Sequence, residues 1–174
     1  MEKRTVLFVD DDELILHSLV RGLLDAPYNI LAANSCKEAL EILQQKEVHV
    51  IVTDMRMPEM TGLELLRIAK KEHPHIIGIV LSGYGQGTAL QKAIEQKEIF
   101  KLISKPWKLG GNFEACVQEA IDHYNLQSKS KRFSNKKLKK CKAKLREEVR
   151  ISVKQESKRR IERGKLWLRE KEKN

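Results

Sequence analysis

Apolar positions in the first 124 residues fall into two alternating kinds of run, short β-branched blocks and longer stretches with one apolar face. Thr5 to Val9 is the first block, and the stretch from about Glu13 to Leu24 then repeats Ile15, Leu19 and Leu23 at helical spacing. Asn29 to Ala33 predicts a second strand. Ser35-Cys36-Lys37-Glu38 is a capping box, with a hydroxyl at a helix boundary and a Glu three residues on, opening a helix with Ala39, Leu40 and Leu43 inward. Val48, Val50, Ile51 and Val52 lack clean alternation, as a strand covered on both faces does. That strand ends at Asp54. After Met57-Pro58, a second capping box, Thr61-Gly62-Leu63-Glu64, starts a helix carrying Leu63, Leu66 and Ala69. Ile76 to Leu81 is a fourth strand, closed by Ser82-Gly83-Tyr84-Gly85-Gln86-Gly87, and a short helix runs to about Gln96. Phe100 to Ser104 is the fifth strand, closed by Lys105-Pro106-Trp107. Asn112 to Tyr124 is a last helix, with Phe113, Cys116, Val117, Ala120 and Ile121 inward.

Five βα units in sequence predict an α/β fold, a parallel sheet with helices on both faces. In the flavodoxin-like, doubly wound (βα)5 arrangement the strand order is 2-1-3-4-5, and strands one and three meet at the switch point. Asp10 and Asp11 then follow the first strand, Asp54 the third, Ser82 the fourth and Lys105 the fifth, all at carboxyl ends. Carboxylates of Asp10, Asp11 and Asp54 crowded in one crevice repel unless a cation joins them. Hard oxygen ligands with room for water suit Mg²⁺.

Charge divides the chain where the alternation stops. Residues 1–124 hold 14 Lys and Arg against 18 Asp and Glu, net −4, whereas residues 125–174 hold 20 against 6, net +14. The second region has 13 apolar residues in 50, too few for a core of its own. We therefore expect a domain over 1–124 and a basic helical or disordered extension over 125–174. Three widely spaced cysteines, Cys36, Cys116 and Cys141, suggest neither a disulfide framework nor a zinc site. No run approaches a membrane span and the N-terminus is too short in apolar residues for a signal peptide, which implies a reduced, cytoplasmic protein. The five histidines show no ligand spacing and read as surface residues; Trp107 reads as packing.

The acidic pair at Asp10 and Asp11, Asp54, Met57-Pro58 with Gly62, Ser82-Gly83 and Lys105-Pro106 together resemble the receiver domain of bacterial two-component response regulators, over residues 4 to about 124. Phe100 to Trp107 further resembles receivers attached to phosphodiesterases, kinases or cyclases. The resemblance implies that Asp54 accepts a phosphoryl group from a histidine kinase or phosphotransfer protein. It implies Mg²⁺ held by Asp11, Asp54 and the Arg56 main-chain carbonyl, with Asp10 on a metal-bound water. Lys105 would neutralise phosphoryl charge, Ser82 would act as the switch, and the Lys105–Pro106 bond would be cis. The signal would leave through the fourth and fifth helical units, which with the tail are also the expected surfaces for self-association. Three departures stand out: Leu102 occupies the position of a switching aromatic, with Phe100 as its nearest substitute. Lys108-Leu109-Gly110-Gly111 lengthens the entry to the last helix. Arg56 and Tyr84 flank the family's path for hydrolytic water, where their bulk implies slow dephosphorylation.

Other readings fit less well. Asp10 to Asp12 alone suit a helix N-terminus. A haloacid-dehalogenase-type phosphatase needs a second Asp two residues after its nucleophile, and Arg56 stands there, unable to exchange protons at neutral pH. No Gly-x-Gly-x-x-Gly or Walker pattern follows the first strand. In the tail, Leu138, Cys141, Leu145 and Val149 follow a near-heptad spacing that Ser152 and Arg159 interrupt before Leu166, too short for a sustained coiled coil. The tail reads as a helical linker with no output domain after it in this chain; the alternative is a stand-alone regulator whose tail binds nucleic acid or another polyanion. Phe133 and Trp167 are too sparse for a stacking platform.

Overall fold

The computed structural model describes residues 3–83, 87–107 and 112–171, with side chains except those of 87–89, 131–137, 159 and 164–171. Its strands are β1 (Thr5–Val9), β2 (Asn29–Ala33), β3 (Val50–Asp54), β4 (Ile77–Ser82) and β5 (Lys101–Ser104). Helices α1 (Glu13–Gly22), α2 (Cys36–Gln45), α3 (Gly62–Glu72), α4 (Gly87–Glu95) and α5 (Asn112–Lys171) follow them in turn. All neighbouring strands pair in parallel, in the order β2-β1-β3-β4-β5. The doubly wound, flavodoxin-like arrangement expected from the alternation is the one observed.

Period-two alternation divides each central strand between two cores. Leu7, Val9, Ile51 and Val80 face α2, α3 and α4, meeting Ala39, Leu43, Leu66, Ala69 and Leu90. Val6, Phe8, Val50, Val52, Ile77 and Ile79 face α1 and α5, meeting Leu16, Leu19, Phe113, Val117 and Ala120. Both faces of β3 and β4 are therefore dry, which explains their unbroken β-branched runs. Trp107 stacks on Phe113 with ring centroids 4.8 Å apart, a packing role as expected.

The capping signals act as read, with one shift. Thr61 Oγ1 accepts from Glu64 N–H (3.3 Å) while Glu64 Oε2 accepts from Thr61 N–H (2.9 Å). At α2 the Ser35 hydroxyl accepts from Glu38 N–H, but the Glu38 carboxylate reaches Asn34 N–H rather than Ser35. In α1, Leu16 is buried and Ile15 only half-buried. Cys116 and Leu40 are likewise half-buried, at the margins of their helix faces.

His49 corrects the surface reading of the histidines. Only 4% exposed, it precedes β3, and its Nδ1 accepts from Thr5 N–H at 3.0 Å. Its ring meets Tyr124 edge-on at 4.8 Å, and Arg4 crosses the same Tyr124 and bonds Asn125 Oδ1 at 2.8 Å. This polar knot fastens the amino ends of β1 and β3 to α5.

The chain divides into two compact units, Met1–Ser128 and Lys129–Asn174. In the second, every residue from Leu138 to Lys158 is helical and exposed. No helix among the described residues is long and apolar enough to cross a membrane.

Candidate functional site

The site is assembled by strand ends. Asp54 is the last residue of β3, paired in register with Leu81, and Ser82 closes β4 opposite Ser104. Asp10 follows β1 directly, its N–H donating to Ala33 O. Lys105 follows β5, its N–H donating to Ser82 O at 2.8 Å. A parallel sheet with this order brings four separate turns to one edge.

Gly62 makes the approach of α3 possible. A Cβ there would run into the Asp54 carbonyl oxygen and lie 2.8 Å from Thr53 Oγ1. Only a residue without a side chain lets the first turn of α3 sit this close to the end of β3. Thr53 Oγ1 in turn donates to Asp54 O at 2.9 Å, and Gly62 N–H donates to Met55 O at 3.1 Å. Gly62 belongs to the motif that follows Met57-Pro58, but this contact leaves no signal in the sequence.

Asp54 and Asp10 are buried, 6% and 2% exposed, and Lys105 ion-pairs with both, directly to Asp54 Oδ1 and at 3.5 Å to Asp10 Oδ2. The other Asp54 oxygen accepts from Arg56 N–H at 2.6 Å. Burial pushes the Asp10 carboxyl above the usual carboxylate range. Hydrogen bonding from Asp12 N–H and the Lys105 charge pull it back without cancelling the shift, and the Asp54 charge adds to it. For Lys105, burial disfavours the charge, but its hydrogen bond to Asp54 and the two carboxylate charges outweigh that and raise its pKa. One ammonium is shared by two desolvated carboxylates.

The acidic run after β1 divides its labour. Asp10 turns inward, and its Oδ1 accepts from Asp12 N–H at 3.0 Å. Asp11 is exposed. Asp12 is the N-cap of α1, accepting from Leu14 and Ile15 N–H. The helix-capping reading thus holds for one of the three residues. Ser82 is buried and its hydroxyl donates to Gly83 O at 3.1 Å. Arg56 is exposed at the position after Met55, and Tyr84 and residues 108–111 lie outside the described residues. Phe100 lies at the opposite end of β5 from Ser104, its ring 4.9 Å from that of His123. That removes it from the Ser82 turn, so it does not stand in for an aromatic at Leu102.

The donor set suits a small divalent cation. Asp10 Oδ2 is buried and, beside its ion pair with Lys105, has no hydrogen-bond partner among the described residues, an oxygen whose remaining lone pairs suit a metal or its water. Among the described residues no group of three His, Cys, Asp or Glu side chains closes into a metal cage; Asp10 and Asp54 meet at Lys105, and Asp11 is exposed. Mg²⁺ keeps several waters and takes one or two protein carboxylates, so two are sufficient.

The chain is similar to known proteins over this same unit. The response regulator receiver domain family matches residues 6–115. The hydrogenase transcriptional regulatory protein HoxA of Cupriavidus necator is 32% identical over 126 residues, covering 72% of this chain and 26% of that protein. The DNA-binding transcriptional regulator NtrC of Escherichia coli K12 is 34% identical over 127 residues, covering 73% of this chain and 27% of its own. The chain thus spans about a quarter of the length of these curated relatives. A solved structure titled as adenylate cyclase from Rhodopirellula baltica superposes with a TM-score of 0.72 at 27% identity, covering 75% of this chain and 96% of that one. With the family matched over most of its globular unit and the sheet order and strand-end site in place, the chain belongs to the response regulator receiver domain family.

Proposed function

We propose that this chain is the phosphoacceptor of a two-component phosphorelay, with Asp54 as the residue phosphorylated. The observation that carries this reading is the Lys105 ammonium paired with both Asp10 and Asp54 at one sheet edge. In the reaction an Asp54 carboxylate oxygen attacks the phosphorus of a phosphohistidine, the P–N bond breaks, and its electron pair returns to the imidazole. Such transfer demands alignment and charge neutralisation more than covalent help from the protein. Lys105 supplies one positive charge already in place. Asp11, Asp54 and the Arg56 main-chain carbonyl would hold Mg²⁺, with Asp10 on its water, and the ion would supply the remaining positive charge against the phosphoryl oxygens.

Before transfer, Arg56 N–H and Lys105 hold the Asp54 carboxylate from two sides, which fixes the attacking group. Ser82 lies on the neighbouring strand, one register step beyond the residue paired with Asp54. Exchanging its bond to Gly83 O for one to a phosphoryl oxygen would draw Ser82 toward Asp54, which makes Ser82 the switch. Residues 1–124 form the receiver and 125–174 the extension, in a cytoplasmic protein whose partner is a histidine kinase or phosphotransfer protein. Its chemistry is confined to gaining and losing the phosphoryl group.

The test is phosphorylation by a small acyl-phosphate donor, followed by intact-protein mass. We expect a single phosphoryl group on the wild-type chain with Mg²⁺, little without it, and none on Asp54→Ala. Full labelling of Asp54→Ala would reject the assignment.

A further inference from the structure

We propose that the first part of the second unit, residues 129–146, is a binding segment for the phosphate backbone of double-stranded DNA. This goes beyond the phosphoacceptor reading and is independent of it. The net charge of the extension is not spread evenly. Residues 129–146 contain ten Lys and Arg and no Asp or Glu, whereas 147–174 contain ten against six. The segment is helical throughout, and from Leu138 on every residue is exposed. The described basic side chains there, Lys139, Lys140, Lys142, Lys144 and Arg146, make no ion pair with an acid inside the segment because it holds none.

Charge density identifies the partner. Eighteen helical residues extend about 27 Å at 1.5 Å each, so the segment carries about one positive charge per 2.7 Å. Duplex DNA presents about one negative charge per 1.7 Å of axis, and its major groove admits an α-helix. A regular, dense polyanion thus matches both the charge and the shape.

Two other occupants fit worse. A second copy of the helix would bring ten more like charges to the same length, and the apolar stripe available to offset them is Leu138, Cys141, Leu145 and Val149, ending at Ser152. A bilayer surface requires a broad apolar face on an interfacial helix. At 100° per residue the stripe spans only about 80°, short of the about 100° such a face needs, with Lys142 about 20° from its edge and Lys139, Lys140, Lys144 and Arg146 around the rest of the helix. Eight of the ten basic residues in 129–146 are lysines, point charges suited to phosphate.

The experiment uses the full chain and a mixed-sequence duplex of about 20 base pairs, followed by fluorescence anisotropy between about 50 and 200 mM salt. With about six phosphate contacts, log Kobs should fall with log salt at a slope near −5. Replacing Lys139, Lys140, Lys142 and Lys144 by Gln should make that slope shallower by about 3 to 4 and weaken binding at least about tenfold at low salt. Replacing Lys154, Lys158, Arg160 and Arg163 by Gln removes the same charge beyond the segment and should do much less. Gln has nearly the helix propensity of Lys, so circular dichroism should show helicity retained in both variants. Equal losses in the two quadruple variants would overturn the assignment to 129–146. So would a salt-independent affinity, or capture by phosphatidylserine vesicles with no response to the duplex.

Discussion

The receiver unit and the extension use charge in opposite ways. At the sheet edge a single ammonium, Lys105, is shared by two buried carboxylates; burial raises the pKa of Asp10, while for Lys105 burial is outweighed by the two carboxylates, which raise its pKa. The extension holds twenty basic residues, nineteen of them on a helix whose described side chains past Leu138 are exposed; there each charge is screened and counts only in a sum. The Arg150–Glu147 pair shows this, at 3.8 Å with both side chains largely in water. A charge gains individual importance by being desolvated beside a partner, whereas an exposed charge gains importance only by being numerous.

Apolar side chains obey the same contrast, and one pair of substitutions tests it most severely. Leu66 is fully buried on α3, packed so closely over β4 that a Cβ at Gly78 would lie 2.7 Å from its methyl carbons. Leu145 is 60% exposed. Leu66→Ala should cost about 2–5 kcal/mol in chemical denaturation, and Leu145→Ala less than about 0.5 kcal/mol. Comparable losses at the two positions would show that the extension is packed in solution against something it does not touch here.

A second substitution addresses how the receiver unit holds its site. Gly62→Ala places a methyl group against the Asp54 carbonyl and Thr53 Oγ1, both in backbone-anchored positions. Overpacking there should cost about 1–3 kcal/mol. Because the displaced atoms belong to Asp54 itself, labelling by an acyl-phosphate donor should slow as well, at temperatures where the variant remains folded. Unchanged labelling with lowered stability would separate the α3 approach from the chemistry.

Much of this was legible along the chain because it is local. Capping boxes, β-branched strands and the residues that end them depend on neighbours a few positions away, so β3 and α3 began and ended close to where the pattern put them. Where two apolar residues adjoin, the pattern is degenerate: Ile15 and Leu16 both satisfy helical spacing with Leu19, and only packing against the sheet selects Leu16. The roles of Asp10, Asp11 and Asp12 are degenerate for the same reason. One turns inward, one is exposed and one caps, and all three are aspartates. Lys105 stands 51 residues from Asp54 and 95 from Asp10, and nothing in its own surroundings in sequence announces the pair. Family resemblance supplied that contact. His49 misled for a related reason, since its burial comes from Arg4, Thr5 and Tyr124, remote in sequence.

The smallest expected effect concerns a desolvated group with no partner, the counterpart of Lys105 within the same unit. Tyr28 is 6% exposed, and its hydroxyl has no hydrogen-bond partner among the described residues. Burial, with the Glu114 charge adding to it, pushes its pKa from 10.0 up to about 12. The folded state therefore favours the neutral phenol more than the unfolded chain does. Stability from this group is complete below pH 10 and is lost as pH rises through about 12. Relative to Tyr28→Phe, which cannot ionise, the wild-type chain should lose on the order of 1 kcal/mol by pH 11 and almost nothing by pH 9. Comparing denaturation midpoints of the two proteins at those pH values cancels the titration of the many lysines, which both share. A gap that stays constant with pH would mean that water or a polar group reaches the Tyr28 hydroxyl, and that the space between the α1–β2 turn and α5 is wetter than its packing implies.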